Sequence, residues 1–423
     1  MVKIMITRRH LSIIWIWVAT ILPYVEIAAV REMFEIKTRY MTIPAVGVIM
    51  LLLWIWLFGG NRLHGYQKER ETKHYFRKVD LLMFFLIFMA AYTVFAYDSK
   101  LSSYIQLGLF VLPYLFAKEV MIRSKGIGLT NQEIVKYAFP FFAITQIIFV
   151  IINVVEYGFS FDGNSESRIL SVGGGPVILG YTVVLILSCW FIFRKDMNRI
   201  WNIMVIAGCL IVAFATGSRG SMWPSVLLII AYATYKNGKI APIRGAIVLL
   251  IGIILFLFVD LSSLFPRLFL FNEGGRFSTV ISNFEAFKMY NPLEVILGKG
   301  FGNFYPYQQW NIDNLSSSFF DYNHFSYKGI SLLVQPHNSF VYAFMEMGII
   351  GGILYITTIK TSLSLNFNAG KRWKFEYIVF VVFLILVLFV ESTFFIATGS
   401  ASLWWFIIMI VGNSDSIYER DCE

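Results

Sequence analysis

Runs of hydrophobic residues without a single charge, met one after another along the chain, constrain this sequence more than any motif it carries. Residues 81–95, 247–258 and 377–390 are of this kind. With their flanks they reach the ~20 residues a helix needs to cross a bilayer. A membrane β-barrel would instead alternate polar and apolar residues. Only 14% of the 423 residues are charged, against about 25% in soluble domains. The chain therefore reads as all-α, a polytopic integral membrane protein. Hydropathy divides it into about twelve spans: 11–30, 42–58, 79–97, 102–117, 137–156, 176–193, 200–216, 222–235, 245–265, 337–359, 375–395 and 401–412. The first apolar run leads to Glu26 and Arg31, with no small-residue cleavage site, so no cleavable signal peptide is expected.

Charge orients these spans. With the N-terminus in the cytoplasm, 24 of the 35 Lys and Arg fall on the cytoplasmic side. That asymmetry follows the positive-inside rule and puts both termini in the cytoplasm. Three regions follow: 1–265 with nine spans, a large outer loop at 266–336 on the periplasmic or extracytoplasmic side, and 337–423 with three spans and a cytoplasmic tail. The net charge of +9 then reflects topology, and no nucleic-acid partner is implied. Residues 61–78, mixed in charge, read as a solvated connector near anionic lipid head groups. Cys189 and Cys209 lie in spans and Cys422 in the tail, which suggests neither a disulfide nor a cysteine metal site.

Residues 266–336 are the one long polar interruption, and chemistry is expected in or beside them. Much of the rest is aromatic, with Phe301, Phe304, Tyr305, Tyr307, Trp310, Phe319, Phe320, Tyr322, Phe325 and Tyr327, suited to stacking on sugars or to anchoring at the interface. The glycines of Gly298-Lys299-Gly300-Phe301-Gly302 and Gly173-Gly174-Gly175 lack the strand and βαβ context of a nucleotide loop and read as turns or close contacts. Of five histidines, only His324 and His337 face outward in this topology. His337, in Pro336-His337-Asn338-Ser339, opens the tenth span. Near a helix N-terminus, where partial positive charge favours a neutral ring, an imidazole can accept a proton. The same position equally suits a polar helix start.

Arginines converge on the same side. Arg219 lies in Thr216-Gly217-Ser218-Arg219-Gly220-Ser221, a tight turn before the eighth span. Glycines let a ligand approach the backbone, and an arginine beside a helix N-terminus suits phosphate. The turn serves equally as a helix cap. Arg276 follows Gly274-Gly275, and Arg168 precedes Gly175-Pro176. Snorkelling to lipid phosphate is the alternative for each. Carboxylates Glu26, Glu156, Asp260, Glu346 and Glu391 fall in the outer parts of their spans, and charge inside a membrane points to function. Glu346 stands about 13 Å along the helix from His337. It reads as an interhelical hydrogen-bond partner beside a small-residue face of Gly348 and Gly352.

The ordered set Thr216-Gly217-Ser218-Arg219-Gly220, Gly275-Arg276-Phe277, Leu297-Gly298-x-Gly300-x-Gly302, and Pro336-His337-Asn338-Ser339 through Glu346-x-Gly348 resembles the O-antigen ligase and polymerase superfamily. The resemblance implies a bacterial glycosyltransferase that needs no metal or other cofactor. It takes a glycan from undecaprenyl diphosphate at the outer face of the cytoplasmic, inner membrane. In that family, arginines matching Arg219 and Arg276 hold the lipid diphosphate and a histidine matching His337 acts in catalysis. Arg168 with Gly175-Pro176 resembles a weaker motif, with Val177 where an asparagine is usual. Ser218, Asn338 and Glu346 are expected to support the site. A single, inverting displacement is expected, because no carboxylate is evidently placed as a nucleophile. Polymerisation of lipid-linked repeat units is the favoured activity, on what capsule and O-antigen systems commonly require. A ligase acting on lipid A core or protein is the alternative, and a flippase the third reading. Partners implied are the lipid-linked oligosaccharide, the acceptor glycan, the bilayer and a chain-length regulator. The long loop is expected to act as a lid.

Overall fold

The computed structural model describes residues 8–21, 67–96, 101–157, 175–194, 197–236, 239–240, 274–303, 324–327, 330–333, 336–364, 375–396 and 398–413. The spans expected at 42–58 and 245–265, together with Arg168, Glu26 and Asp260, lie outside these residues. Described helices are α1 Arg8–Ile21, α2 Gln67–Ala96, α3 Leu101–Gly126, α4 Asn131–Tyr157, α5 Gly175–Phe193, α6 Arg199–Ala215 and α7 Arg219–Thr234. They continue with α8 Gly274–Phe287, α9 Pro292–Leu297, α10 Ser339–Ser364, α11 Phe375–Val390, α12 Thr393–Ile396 and α13 Thr398–Gly412. Two short antiparallel pairs complete the description: β1 Tyr235–Lys236 with β2 Lys239–Ile240, and β3 His324–Tyr327 with β4 Ile330–Leu333.

Three helical stretches, Phe76–Ala96, Asn131–Ile152 and Ser339–Leu363, are long and apolar enough to cross a membrane. Shorter apolar stretches run over Val177–Phe193, Arg199–Ala215, Phe375–Val390 and Ser400–Gly412. The chain is thus a predominantly helical membrane protein. Phe84, Phe88, Phe95, Ile148, Ile152, Ile203, Val382 and Phe389 are exposed, as side chains facing lipid would be.

At the centre runs α13, buried on every side from Ser400 to Asn413. A helix apolar all round belongs in a core, and it packs against α3, α5, α10 and α12. Phe394 meets Trp404 edge-on at 5.6 Å, and Phe110 stacks on Phe395 at 5.4 Å. These aromatic contacts root the single turn of α12 between α3, α10 and α13.

Ring contacts fix which helix ends lie together. Tyr235 stacks on Phe375 at 4.6 Å, and Phe191 lies 6.2 Å from Phe375. The Tyr377 hydroxyl donates to the Leu363 carbonyl at 2.7 Å. The C-terminal ends of α5, α7 and α10 therefore meet the N-terminal end of α11. Arg194 seals this end, its Nη1 and Nη2 donating to the Tyr232 and Tyr235 carbonyls at 2.7 and 2.6 Å. By the same geometry, the N-terminal ends of α5, α7 and α10 lie with the C-terminal end of α11 at the other end.

Helix also occupies two regions to which the sequence assigns no span. In residues 61–78, expected as a solvated connector, α2 begins at Gln67. Glu69 and Lys73, spaced i, i+4, suit a helix that continues past the apolar core. The segment read as a lid also holds built structure between Gly274 and Asn303. Asn291 caps α9, accepting from Glu294 N at 2.9 Å while the Glu294 carboxylate accepts from Asn291 N, with Pro292 at the helix start.

That segment docks on α10 where α10 is broken. Gly348 sits at φ 65, ψ −167 inside the helix, a conformation open essentially to glycine. Opened carbonyls are taken up by the docked segment: Lys299 N donates to Met345 O at 3.2 Å, Gly300 N to Glu346 O at 3.1 Å, and the Tyr290 hydroxyl to Met345 O at 3.1 Å. A Cβ on Gly298 would strike the Glu346 carbonyl, and one on Gly348 the Ile296 carbonyl. Gly348 and Gly352 therefore do not form the expected helix-packing face. Gly348 packs on a loop, and a Cβ on Gly352 would meet Phe344 of its own helix. The close-contact reading of Gly298, Gly300 and Gly302 agrees with their φ of 83, 103 and 80.

Candidate active site

The start of α10 is built by its own polar residues. Asn338 is the cap: its Oδ1 accepts from Phe340 N at 2.9 Å and Val341 N at 3.0 Å, satisfying two N–H groups that have no partner within the helix. Its Nδ2 donates to the Phe389 carbonyl at 2.9 Å, and the Ser339 hydroxyl donates to the Glu391 carbonyl at 2.6 Å. The beginning of α10 is thereby tied to the end of α11.

Residues 375–395 were expected to form one continuous span. Instead α11 stops at Val390, the chain turns through Glu391 and Ser392, and α12 starts at Thr393. The turn brings the Glu391 carboxylate to the histidine. Its Oε1 accepts from Ser392 N at 3.2 Å and lies 3.6 Å from His337 Nδ1. That separation is an ion-pair distance, longer than a hydrogen bond. Glu391 is almost wholly buried, whereas the His337 side chain keeps 31% exposure. Nδ1 itself is buried and has no hydrogen-bond partner among the described residues, so the exposed part of the ring lies away from the carboxylate. A carboxylate facing one side of a partly exposed imidazole is an arrangement in which the ring can accept a proton.

Arg219 is the first residue of α7 and half-buried. Ser218 occupies the cap position in extended conformation, φ −89 and ψ 113, without a side-chain capping bond. Its carbonyl serves the turn, accepting from Ser221 N, Met222 N and the Ser221 hydroxyl. Gly220 allows the turn to lie against α5, since a Cβ there would strike the Tyr181 hydroxyl. A cation in the first helical turn opposes the helix dipole. An anion at the same point would suit the helix dipole.

The remaining expected residues fall differently. Arg276 lies in the first turn of α8, a helix that packs on α10, and its side chain is outside the described set, as is all of Arg168. Glu346 is fully buried beside the break in α10, with its carbonyl bonded to Gly300 N. The carboxylate at His337 is Glu391. Asn338 acts on the helix junction, and Ser218 acts in the turn before α7. His337 and Arg219 thus share one end of the bundle, at the N-termini of α10 and α7.

Glu391 is the residue that sequence reasoning noticed without assigning. Its signal was the polar triplet Glu391-Ser392-Thr393 inside an otherwise apolar run.

A family model described as O-antigen ligase matches residues 203–356. The match includes Arg219, Arg276, the glycines at 298–302, His337, Asn338 and Glu346, and it ends before Glu391. No curated protein matches the chain.

Proposed function

We propose that this chain, a member of the O-antigen ligase and polymerase superfamily over residues 203–356, transfers a glycan from undecaprenyl diphosphate to a sugar hydroxyl at the outer face of the bacterial inner membrane. The observation that carries the reading is the His337–Glu391 pair, placed at the same bundle end as Arg219.

The acceptor hydroxyl loses its proton to His337 Nε2 as its oxygen attacks the anomeric carbon. The bond from that carbon to the diphosphate breaks, and undecaprenyl diphosphate leaves with the electron pair, inverting the centre. Glu391 offsets the positive charge that develops on the ring. Arg219 and Arg276, with Arg168 as a third candidate, neutralise the departing diphosphate, for which preorganised cations are suited. Base help of this kind supplies about 10²- to 10⁴-fold in rate. The displacement invokes no metal or nucleotide.

The acceptor favoured is a second lipid-linked repeat unit, which makes the protein a polysaccharide polymerase; a chain-length regulator would be its partner. Both termini are assigned to the cytoplasm on the distribution of Lys and Arg. A flippase reading draws on the break in α10, since transporters expose unwound carbonyls to a substrate cavity. Here the carbonyls of Met345 and Glu346 are occupied by Lys299, Gly300 and Tyr290, which favours an enzyme.

The test is purified protein incubated with the lipid-linked repeat unit, alone and with lipid A core. Longer lipid-linked chains support polymerase and glycosylated core supports ligase. Movement of intact donor between leaflets with no covalent product would overturn the transferase.

A further inference from the structure

No glycine or proline occurs between residues 381 and 398, so the end of α11 is not dictated by local propensity. A competing donor lies on α10. In an unbroken helix the Glu391 carbonyl would accept from Phe395 N, four residues on. Phe395 N bonds the Ser392 carbonyl instead, at 2.9 Å. The Ser339 hydroxyl fills the place left at Glu391 O, at 2.6 Å. Ser339 is fully buried and lies behind the histidine, one residue past the cap.

We propose that Ser339 is a positioning residue that sets the protonated nitrogen of His337. By holding the Glu391 carbonyl outside the helix, it keeps the chain turned at Glu391, whose carboxylate then faces Nδ1. Facing an acceptor at Nδ1, the neutral ring carries its proton there and leaves Nε2 free to act as base. Without the hydroxyl, the Glu391 carbonyl is buried and unsatisfied, a condition relieved by bonding Phe395 N. Each residue added to a helix rotates the next by about 100°, so that repair swings the carboxylate off the ring. The proposal rests on His337 being the base.

The experiment compares imidazole ¹⁵N shifts in ¹⁵N-histidine-labelled full-length protein in lipid, with His337 assigned by its own substitution. Wild type should show the Nδ1–H form at His337. Ser339→Ala should move toward the Nε2–H form, as should Glu391→Ala, while Ser339→Thr keeps the wild-type shifts. Ser188→Ala, removing a buried hydroxyl bonded within its own helix, should leave them unchanged. In the transfer assay Ser339→Ala should lower kcat about 10- to 100-fold with the donor KM preserved, the scale of a misplaced catalytic group. Wild-type imidazole shifts in Ser339→Ala, whatever its stability, would overturn the proposal. A wild-type protein that transfers no glycan would remove the function proposed above, while the shift comparison would still decide whether Ser339 orients the ring.

Discussion

His337 Nδ1 faces Glu391 Oε1 at 3.6 Å across a junction of two helices that share no sequence neighbourhood. Asn338 and Ser339, the two residues after the histidine, grip the carbonyls of Phe389 and Glu391. One short sequence thus supplies the candidate base and fastens the segment that carries its partner.

Replacing His337 with Ala should reduce transfer by about 10²- to 10⁴-fold, the usual share of a general base. The protein should still insert and purify, since the ring is partly exposed and makes no hydrogen bond at Nδ1. Glu391→Ala should cost less, because it leaves the base in place. Initial rates on the lipid-linked repeat unit check both, and a fully active His337→Ala would remove the histidine from the mechanism.

Arg219→Ala should weaken transfer by about 10- to 100-fold, the value of one charge-assisted hydrogen bond in the range of about 1.5–3 kcal/mol. Arg219→Lys should recover little of it if the diphosphate is held through a bidentate fork, which an ammonium cannot supply. Titration of the donor against both variants measures this. Full recovery by lysine would show that charge alone suffices.

Gly348→Ala should destabilise strongly. A non-glycine residue there costs about 1–3 kcal/mol in backbone strain, and overpacking against the Ile296 carbonyl adds about 1–3 kcal/mol. Gly128→Ala offers the comparison: its φ is 86, but a Cβ there would meet nothing within 4 Å, so only backbone strain applies. Thermal unfolding in detergent should rank Gly348→Ala well below Gly128→Ala.

Arg194→Met should lower stability without lowering activity per folded molecule. Burial pushes the proton affinity of the guanidinium down, opposed by Tyr232 and Glu376, and the group answers two carbonyls at the bundle end away from His337. Each carbonyl left buried and unsatisfied costs about 1–3 kcal/mol. Unfolding midpoints and specific activity, measured on the same preparation, separate the two effects.

Helix positions were legible because apolar length reports them directly, and α5, α6 and α11 begin within a residue of their expected starts. The position of His337 just before a helix was legible from Pro336-His337-Asn338-Ser339. The break at Glu391 was not, because the apolar run carries no breaker and the competing donor, Ser339, lies on α10. Gly348 was visible but misread, since spacing to Gly352 suggests a flat helix face while the backbone there leaves helical geometry. Residues 274–303 looked like loop because their polar groups Thr279, Ser282 and Asn283 are buried against protein, a fate that hydropathy cannot distinguish from exposure to water.

The contact of Gly298 with Gly348 has a mechanical consequence. Main chain meets main chain there without an intervening side chain, so the joint has almost no slack. The arm running back through α9 to α8 bears Arg276, and the other arm, about 16 Å along α10, ends at His337. A displacement of the arm that bears Arg276 would be transmitted at this fulcrum to the helix that His337 opens, with no side chain between to absorb it.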